Sequence, residues 1–199
     1  MKTETVVSPG NLKLGRHTPN VSLLPIVTCA KGVPCGKKCY CNKACRLYHT
    51  ALRKWFNSTC LWQSNPVEFE KQIFVYLEKR PATFFRWAVA GDIPDRNYLR
   101  MMERVARRFL DTKFLAFTKQ YSLLGDPETL PPNLVIVVSG WPGYRASLFE
   151  EIRRNYPVAW THLKGQTSMA GAFQCPGKCE ACRYCWGMKA GNTIEFKEH

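Results

Sequence analysis

Between residues 83 and 163, short apolar runs alternate with longer amphipathic segments, and this alternation restricts the fold more than any other feature. "TFFRWAVAGD" (83–92), "TKFLAFTK" (112–119), "NLVIVVSG" (133–140) and "VAWTHL" (158–163) each have the length and side-chain character of a buried strand. Between them lie segments with helical spacing. In 94–110, Leu99, Met102, Val105, Ala106 and Phe109 mark one apolar face, and Asp95 stands where a helix N-cap belongs. "YRASLFEEIRRNY" (144–156) reads as a further helix. Upstream, "VSLLPIVTC" (21–29) reads as a first strand, "RLYHTALRKWF" (46–56) as a helix, and 65–80 as a second helix with Asn65 as its cap and Pro66 in its first turn.

Strand and helix alternating at this spacing predict an α/β fold with a mainly parallel sheet of about five to six strands. That number is too small for a closed eight-stranded barrel. The expectation is one domain over 1–199: an irregular arm (1–20), a cysteine loop (29–45), a βα body (46–165) and a closing cysteine motif (175–186). An open or partial (βα) barrel fits the length, as does a doubly wound sheet. In each case ligands bind beyond the C-terminal ends of the strands. The candidate cofactor-binding residues are therefore Gly91 and Asp92, Thr118 and Lys119, and Ser139, each at such an end.

Nine of the ten cysteines, all but Cys60, bracket this body. Cys29, Cys35, Cys39, Cys41 and Cys45 follow the first strand, and Cys175, Cys179, Cys182 and Cys185 close the chain. The opening residues contain no apolar signal segment, and no apolar run approaches a membrane span, so the expectation is a cytoplasmic protein without a membrane partner. In a reducing compartment, clustered thiols point to metal rather than disulfides. Zinc normally takes two Cys-x2-Cys knuckles separated by a longer loop. The closing quartet has spacings of three, two and two, which suit the separate corners of an iron-sulfur cluster. Zinc remains the alternative metal. The expected ligands are Cys29, Cys35 and Cys39 for one [4Fe-4S] cluster and the quartet for a second, or for a shared set. Cys41, Cys45 and Cys60 are expected to be packed or unligated.

The formal charge of +14 points to a polyanion or an anionic ligand. Arg96, Arg100, Arg104, Arg107 and Arg108 lie on the polar side of the 95–109 helix. With Arg153, Arg154, Lys37 and Lys38 they are a candidate nucleic-acid footprint. His162 is a further candidate to face the site. The sequence contains no P-loop, dinucleotide fingerprint, H-E-x-x-H or serine elbow.

A cysteine loop after strand one, followed by a glycine-acid pair ending strand two ("VAGD"), resembles the radical S-adenosylmethionine barrel. The resemblance implies a three-cysteine [4Fe-4S] cluster, an open iron that binds S-adenosylmethionine, and Asp92 at the cofactor's amino group. The usual loop in that superfamily is C-x3-C-x2-C, whereas this chain has C-x5-C-x3-C. Over most of its length the chain more closely resembles small phage and mobile-element proteins of the gene product eighty-eight-like group. "TCAKGVPCGKKCY", "FRWAVAGDIPDRNYLRMMERVARR", "KFLAFTK" and "CPGKCEACRYCW" carry that resemblance. It places Cys29, Cys35, Cys39, Asp92 and the quartet on the group's positions, and leaves Cys41 and Cys45 peculiar to this sequence.

Overall fold

The computed structural model describes residues 5–36, 39–162, 165 and 167–197. Lys37, Lys38 and the side chain of His162 lie outside what is described. The chain forms β1 (Val7–Ser8), β2 (Asn20–Val21), α1 (Tyr40–Leu47), α2 (His49–Ser64), α3 (Pro66–Lys79), β3 (Phe84–Trp87) and α4 (Arg96–Arg108). It continues with β4 (Lys113–Thr118), β5 (Leu134–Gly140), α5 (Ala146–Ile152), β6 (Val158–His162), β7 (Phe173–Gln174), α6 (Cys179–Cys182) and β8 (Thr193–Lys197).

All eight strands join one sheet in the order β1-β2-β3-β4-β5-β6-β8-β7. Every neighbouring pair is parallel except β1–β2. The sheet is open, with β1 and β7 at its edges. Eight strands exceed the expected five to six. The surplus comes from two-residue ladders such as β1 and β7, which are too short to show a side-chain period, and from β8, which follows the last cysteine.

The two helices with the clearest sequence signals form as expected. Asn65 Oδ1 accepts the Glu68 N–H at 3.0 Å, and Asp95 Oδ1 accepts the Tyr98 N–H at 2.8 Å. The second Asp95 oxygen accepts the Trp62 indole N–H at 3.1 Å and so ties α2 to the start of α4. The expected first strand, 21–29, shrinks to Asn20–Val21, because the chain turns after Pro25. The expected 46–56 helix becomes two helices, α1 and α2, and α1 takes in part of the cysteine loop.

Alternation along the central strands gives the sheet two unlike faces. Phe85 and Trp87 of β3, Phe114 and Ala116 of β4, and Ile136 and Val138 of β5 pack under α2–α5. There they meet Phe69 and Ile73 of α3, Tyr98, Met102 and Val105 of α4, and Phe149 of α5. Leu115, Val137, Ala159 and Ile194 point to the other face, which is covered by Leu14 of the N-terminal arm and by Trp186 and Met188. Helices α2–α5 therefore lie on one side, and the doubly wound alternative does not hold. Among the described residues no helix is long and apolar enough to cross a membrane.

Candidate functional site

The face without long helices holds a cavity of about 760 Å³. Its walls are strand ends, the first cysteine segment and the closing cysteine motif. Gly91, Asp92, Thr118, Lys119 and Ser139 all line it. So do Cys29, Cys35 and Cys39 on one side and Cys175, Cys179 and Cys185 on another. Cys182 shares the α6 turn and is half-buried, but does not line the cavity. Thiols about 140 residues apart in sequence thus open onto one space. Among the described residues, no three His, Cys, Asp or Glu side chains converge closely enough to hold a single metal ion. All ten cysteines are free.

The first cysteine segment is held by the turn after β3. Gly91 has φ +75°, and a Cβ there would lie 2.5 Å from Thr28 Oγ1 and 2.8 Å from the Leu23 carbonyl oxygen. Glycine is required both for the backbone conformation and for this close approach. Thr28 Oγ1 accepts the Asp92 N–H at 3.3 Å and donates to the Leu24 carbonyl at 2.9 Å, while the Leu23 N–H donates to the Ala90 carbonyl.

Asp92 is buried and acts as a latch between two strand ends. Its Oδ1 accepts the Ile93 N–H at 2.7 Å and its Oδ2 accepts the Lys119 N–H at 2.9 Å. Burial pushes its pKa up, opposed by the Thr118 hydroxyl and these N–H donors. Asp92 lies where the sequence places it, at a strand end lining the cavity. Much of its acceptor capacity is spent on the protein's own backbone.

The thiols differ in character. Burial pushes Cys29 up to about 11, with the Ile26 N–H opposing and the charges of Asp92, Cys35 and Cys39 adding to the rise. Cys39 is pulled down to about 6, chiefly by the hydrogen bond from the Cys41 thiol, with Lys119 assisting. Cys41 is buried and its pKa is raised by that same bond to Cys39 and by desolvation. Cys45 is half-buried, and Cys60 is exposed on α2. Cys41, expected to be packed or unligated, is buried and also lines the cavity, with its thiol donating to the Val89 carbonyl at 3.8 Å.

The closing motif is clamped onto the N-terminal arm. The Cys179 N–H donates to the Lys13 carbonyl. Arg183, at φ +53°, donates through Nη1 to Thr18 Oγ1 at 2.8 Å and to the Leu14 carbonyl at 3.3 Å. Its guanidinium lies 4.5 Å from the Phe84 ring centre and 5.3 Å from that of Trp186. The buried Trp186 indole donates to the Phe85 carbonyl at 3.0 Å. Cys185 is pushed up to about 12 by burial, and Arg86 opposes the shift.

Arg86 is the principal cavity residue that sequence reasoning missed. It is the inward-facing member of β3, between Phe85 and Trp87, and its guanidinium lies 4.1 Å from the Phe117 ring centre. Its signal was present as the lone cation in an otherwise apolar strand run, "TFFRWAV".

The basic helix face lies on the other side of the sheet. Arg104 pairs with Glu70 at 2.7 Å and Arg108 with Glu78 at 2.6 Å. Arg107 reaches Glu103 at 3.6 Å and the Thr129 carbonyl at 3.0 Å, and Arg96 reaches the Ser122 carbonyl at 3.4 Å. Arg153 pairs with Glu150 at 2.6 Å, while Arg100 and Arg154 are exposed. Much of the expected footprint is thus engaged with acids and carbonyls of the chain itself.

No curated protein and no solved structure matches the chain. The family model described as gene product 88 matches residues 2–188, which take in strands β1–β7 and both cysteine groups. The chain belongs to the gene product 88 family.

Proposed function

We propose that this chain is an iron-sulfur protein and an enzyme of radical S-adenosylmethionine type, acting on a substrate held in the cavity. The observation that carries the reading is that six of the seven candidate ligands, from both cysteine groups, and all five strand-end candidates line one cavity. Cys29, Cys35 and Cys39 would hold a [4Fe-4S] cluster, and Cys175, Cys179, Cys182 and Cys185 a second. The donor chemistry fits. No histidine lines the cavity among the described residues, and its one carboxylate, Asp92, is already bonded to backbone N–H groups. Soft thiolate donors without imidazole or free carboxylate suit iron-sulfur clusters. A zinc site needs its sulfurs at about 2.3 Å from one ion, so they must converge on a point. Cluster ligands bind separate irons and stand further apart.

A cluster with an open iron supplies electrons and a coordination position for the methionine end of S-adenosylmethionine. The chain's own residues set the surroundings. Asp92 and Gly91 fix the turn that carries the first cysteine segment. The Asp92–Lys119 bond joins the ends of β3 and β4, so the candidate cofactor residues share one rim. Trp186 and Leu14 close the inner wall against water.

The test is anaerobic purification, then iron, sulfide and zinc per chain, with electron paramagnetic resonance after reduction. About four or eight irons with matching sulfide, and a spectrum altered by S-adenosylmethionine, is the expected result. Iron without that response would remove the cofactor assignment. Stoichiometric zinc with little iron would overturn the redox reading.

A further inference from the structure

We infer that Arg86 forms an anion-binding subsite in the inner wall of the cavity. Its ligand would be a small organic anion, with carboxylate or phosphate oxygens in the guanidinium fork and an apolar body against Phe117 and Trp186. That this anion is the substrate rests on the proposed function. The subsite itself rests on the side chains alone.

Arg86 projects from the middle of β3, opposite Leu115 in the sheet register, onto the face without long helices. Its Nε donates to the Trp87 carbonyl at 2.9 Å. Among the described residues, neither Nη atom donates a hydrogen bond and no carboxylate pairs with the guanidinium. Desolvation pushes its pKa below the ordinary value. The side chain is half-buried, and its free Nη donors open onto the cavity, where a ligand can reach them. The free Nη edge is the part that binds carboxylate or phosphate in a bidentate fork.

The surroundings specify the rest of the ligand. Phe117 lies under the guanidinium, and Leu115, Phe196 and Trp186 add apolar wall. Lys13 and Lys119 are the other cations of the lining, against the single, already bonded Asp92. Among the described residues no free carboxylate competes for the guanidinium, so an anion can take its fork. A volume of about 760 Å³ suits a small molecule rather than a macromolecule. One rival role lies within the same geometry: Cys179 and Cys185 are close enough to feel the Arg86 charge, and in that role Arg86 is only the counter-cation to the quartet's thiolates.

Calorimetric titration of the full chain, as purified without oxygen, tests the subsite. The probes are benzoate, phenyl phosphate and the neutral benzamide; the first two separate a carboxylate from a phosphate ligand. At least one anion should bind about tenfold or more tighter than benzamide, the effect of a charge-assisted hydrogen-bond pair. Arg86→Gln should erase that preference and Arg86→Lys should keep part of it. Arg100→Gln removes the same charge from the exposed helix face and should leave the preference unchanged. Near-ultraviolet circular dichroism checks that each variant is folded. An unfolded Arg86→Gln transfers the test to Arg86→Lys, which must then weaken the preference. Equal binding of all three probes, no binding, or a preference that survives Arg86→Gln overturns the inference. Iron lost from Arg86→Gln with the preference intact assigns Arg86 to the thiolates and also overturns it. Absence of iron from the wild type would sink the proposed function, while the anion titration would still read the subsite.

Discussion

The two faces of the sheet are built from neighbouring residues of the same strands, yet they serve opposite ends. Under the helices, Phe85, Trp87 and Phe114 pack with ring centres 4.7 to 6.1 Å apart, and all three are fully buried. On the other face the same strands present Arg86, Leu115 and Phe117 to a cavity, with thiols on its rim. One side removes apolar area from water and has little room for change. The other keeps a cation short of partners and seven cysteines free, arrangements that cost stability or do nothing for it. The difference places the fold's stability on the helix side and its chemistry on the cavity side.

The largest expected effect tests that division directly. Phe114→Ala should lose about 3–5 kcal/mol in urea unfolding, the range for a buried aromatic truncation. Phe117→Ala, three residues on and half-buried, should lose less than half as much while weakening benzoate binding. Equal losses at the two positions would break the comparison.

Gly140→Ala comes next. A Cβ there would meet Trp160 Cε3 at 2.5 Å and Phe149 Cζ at 2.6 Å, in the layer between β5 and α5. Overpacking of this kind costs about 1–3 kcal/mol, and thermal unfolding should show it. A neutral result would mean that the helix side is looser than its packing indicates.

Asp92 gives a smaller, pH-dependent effect. Its pKa is raised in the folded state, so the folded chain holds this proton at a pH where the unfolded chain has released it. The group therefore favours folding at acid pH, and its contribution falls as pH rises from about 4 through the raised value. Asp92→Asn does not titrate. Its stability relative to the wild type should improve over that interval, read as the difference between two urea-unfolding series. A constant difference would mean that Asp92 is more solvated than its burial indicates.

The smallest effect belongs to the basic helix. Arg104→Ala breaks an ion pair whose arginine is 56% exposed, so it should cost at most about 1 kcal/mol. A larger loss would show that α3 and α4 depend on surface charge as well as on the aromatic layer beneath them.

Particular elements show how far local pattern reaches. α4 was legible because its apolar residues recur at helical spacing and Asp95 precedes it. β5 was legible because a long apolar run ends at Ser139-Gly140. α1 was not, since "YCNKACRL" carries cysteines whose apolar or ligating role cannot be judged locally. β8 is short, and although Ile194 and Phe196 alternate with polar neighbours, its sequence alone does not mark it as a sheet strand. Its place between β6 and β7 depends on pairing with distant residues. All five strand-end candidates and six of the seven expected cysteine ligands line the cavity. The sequence marks Arg86 only as part of a buried strand, because the face it occupies is set by the register of β3 against β4.

By itself the sequence determined the α/β alternation, the main helices with their caps, and the strand ends at which a site would lie. These follow from periods of two and 3.6 residues, which act over a few turns of chain. Tertiary structure alone decided that two cysteine groups at opposite ends of the chain share one cavity, that α4's arginines meet α3's acids, and that Arg86 faces inward without a carboxylate. Those are contacts between residues far apart in sequence, and only the pairing of strands and the docking of the closing motif bring them into range.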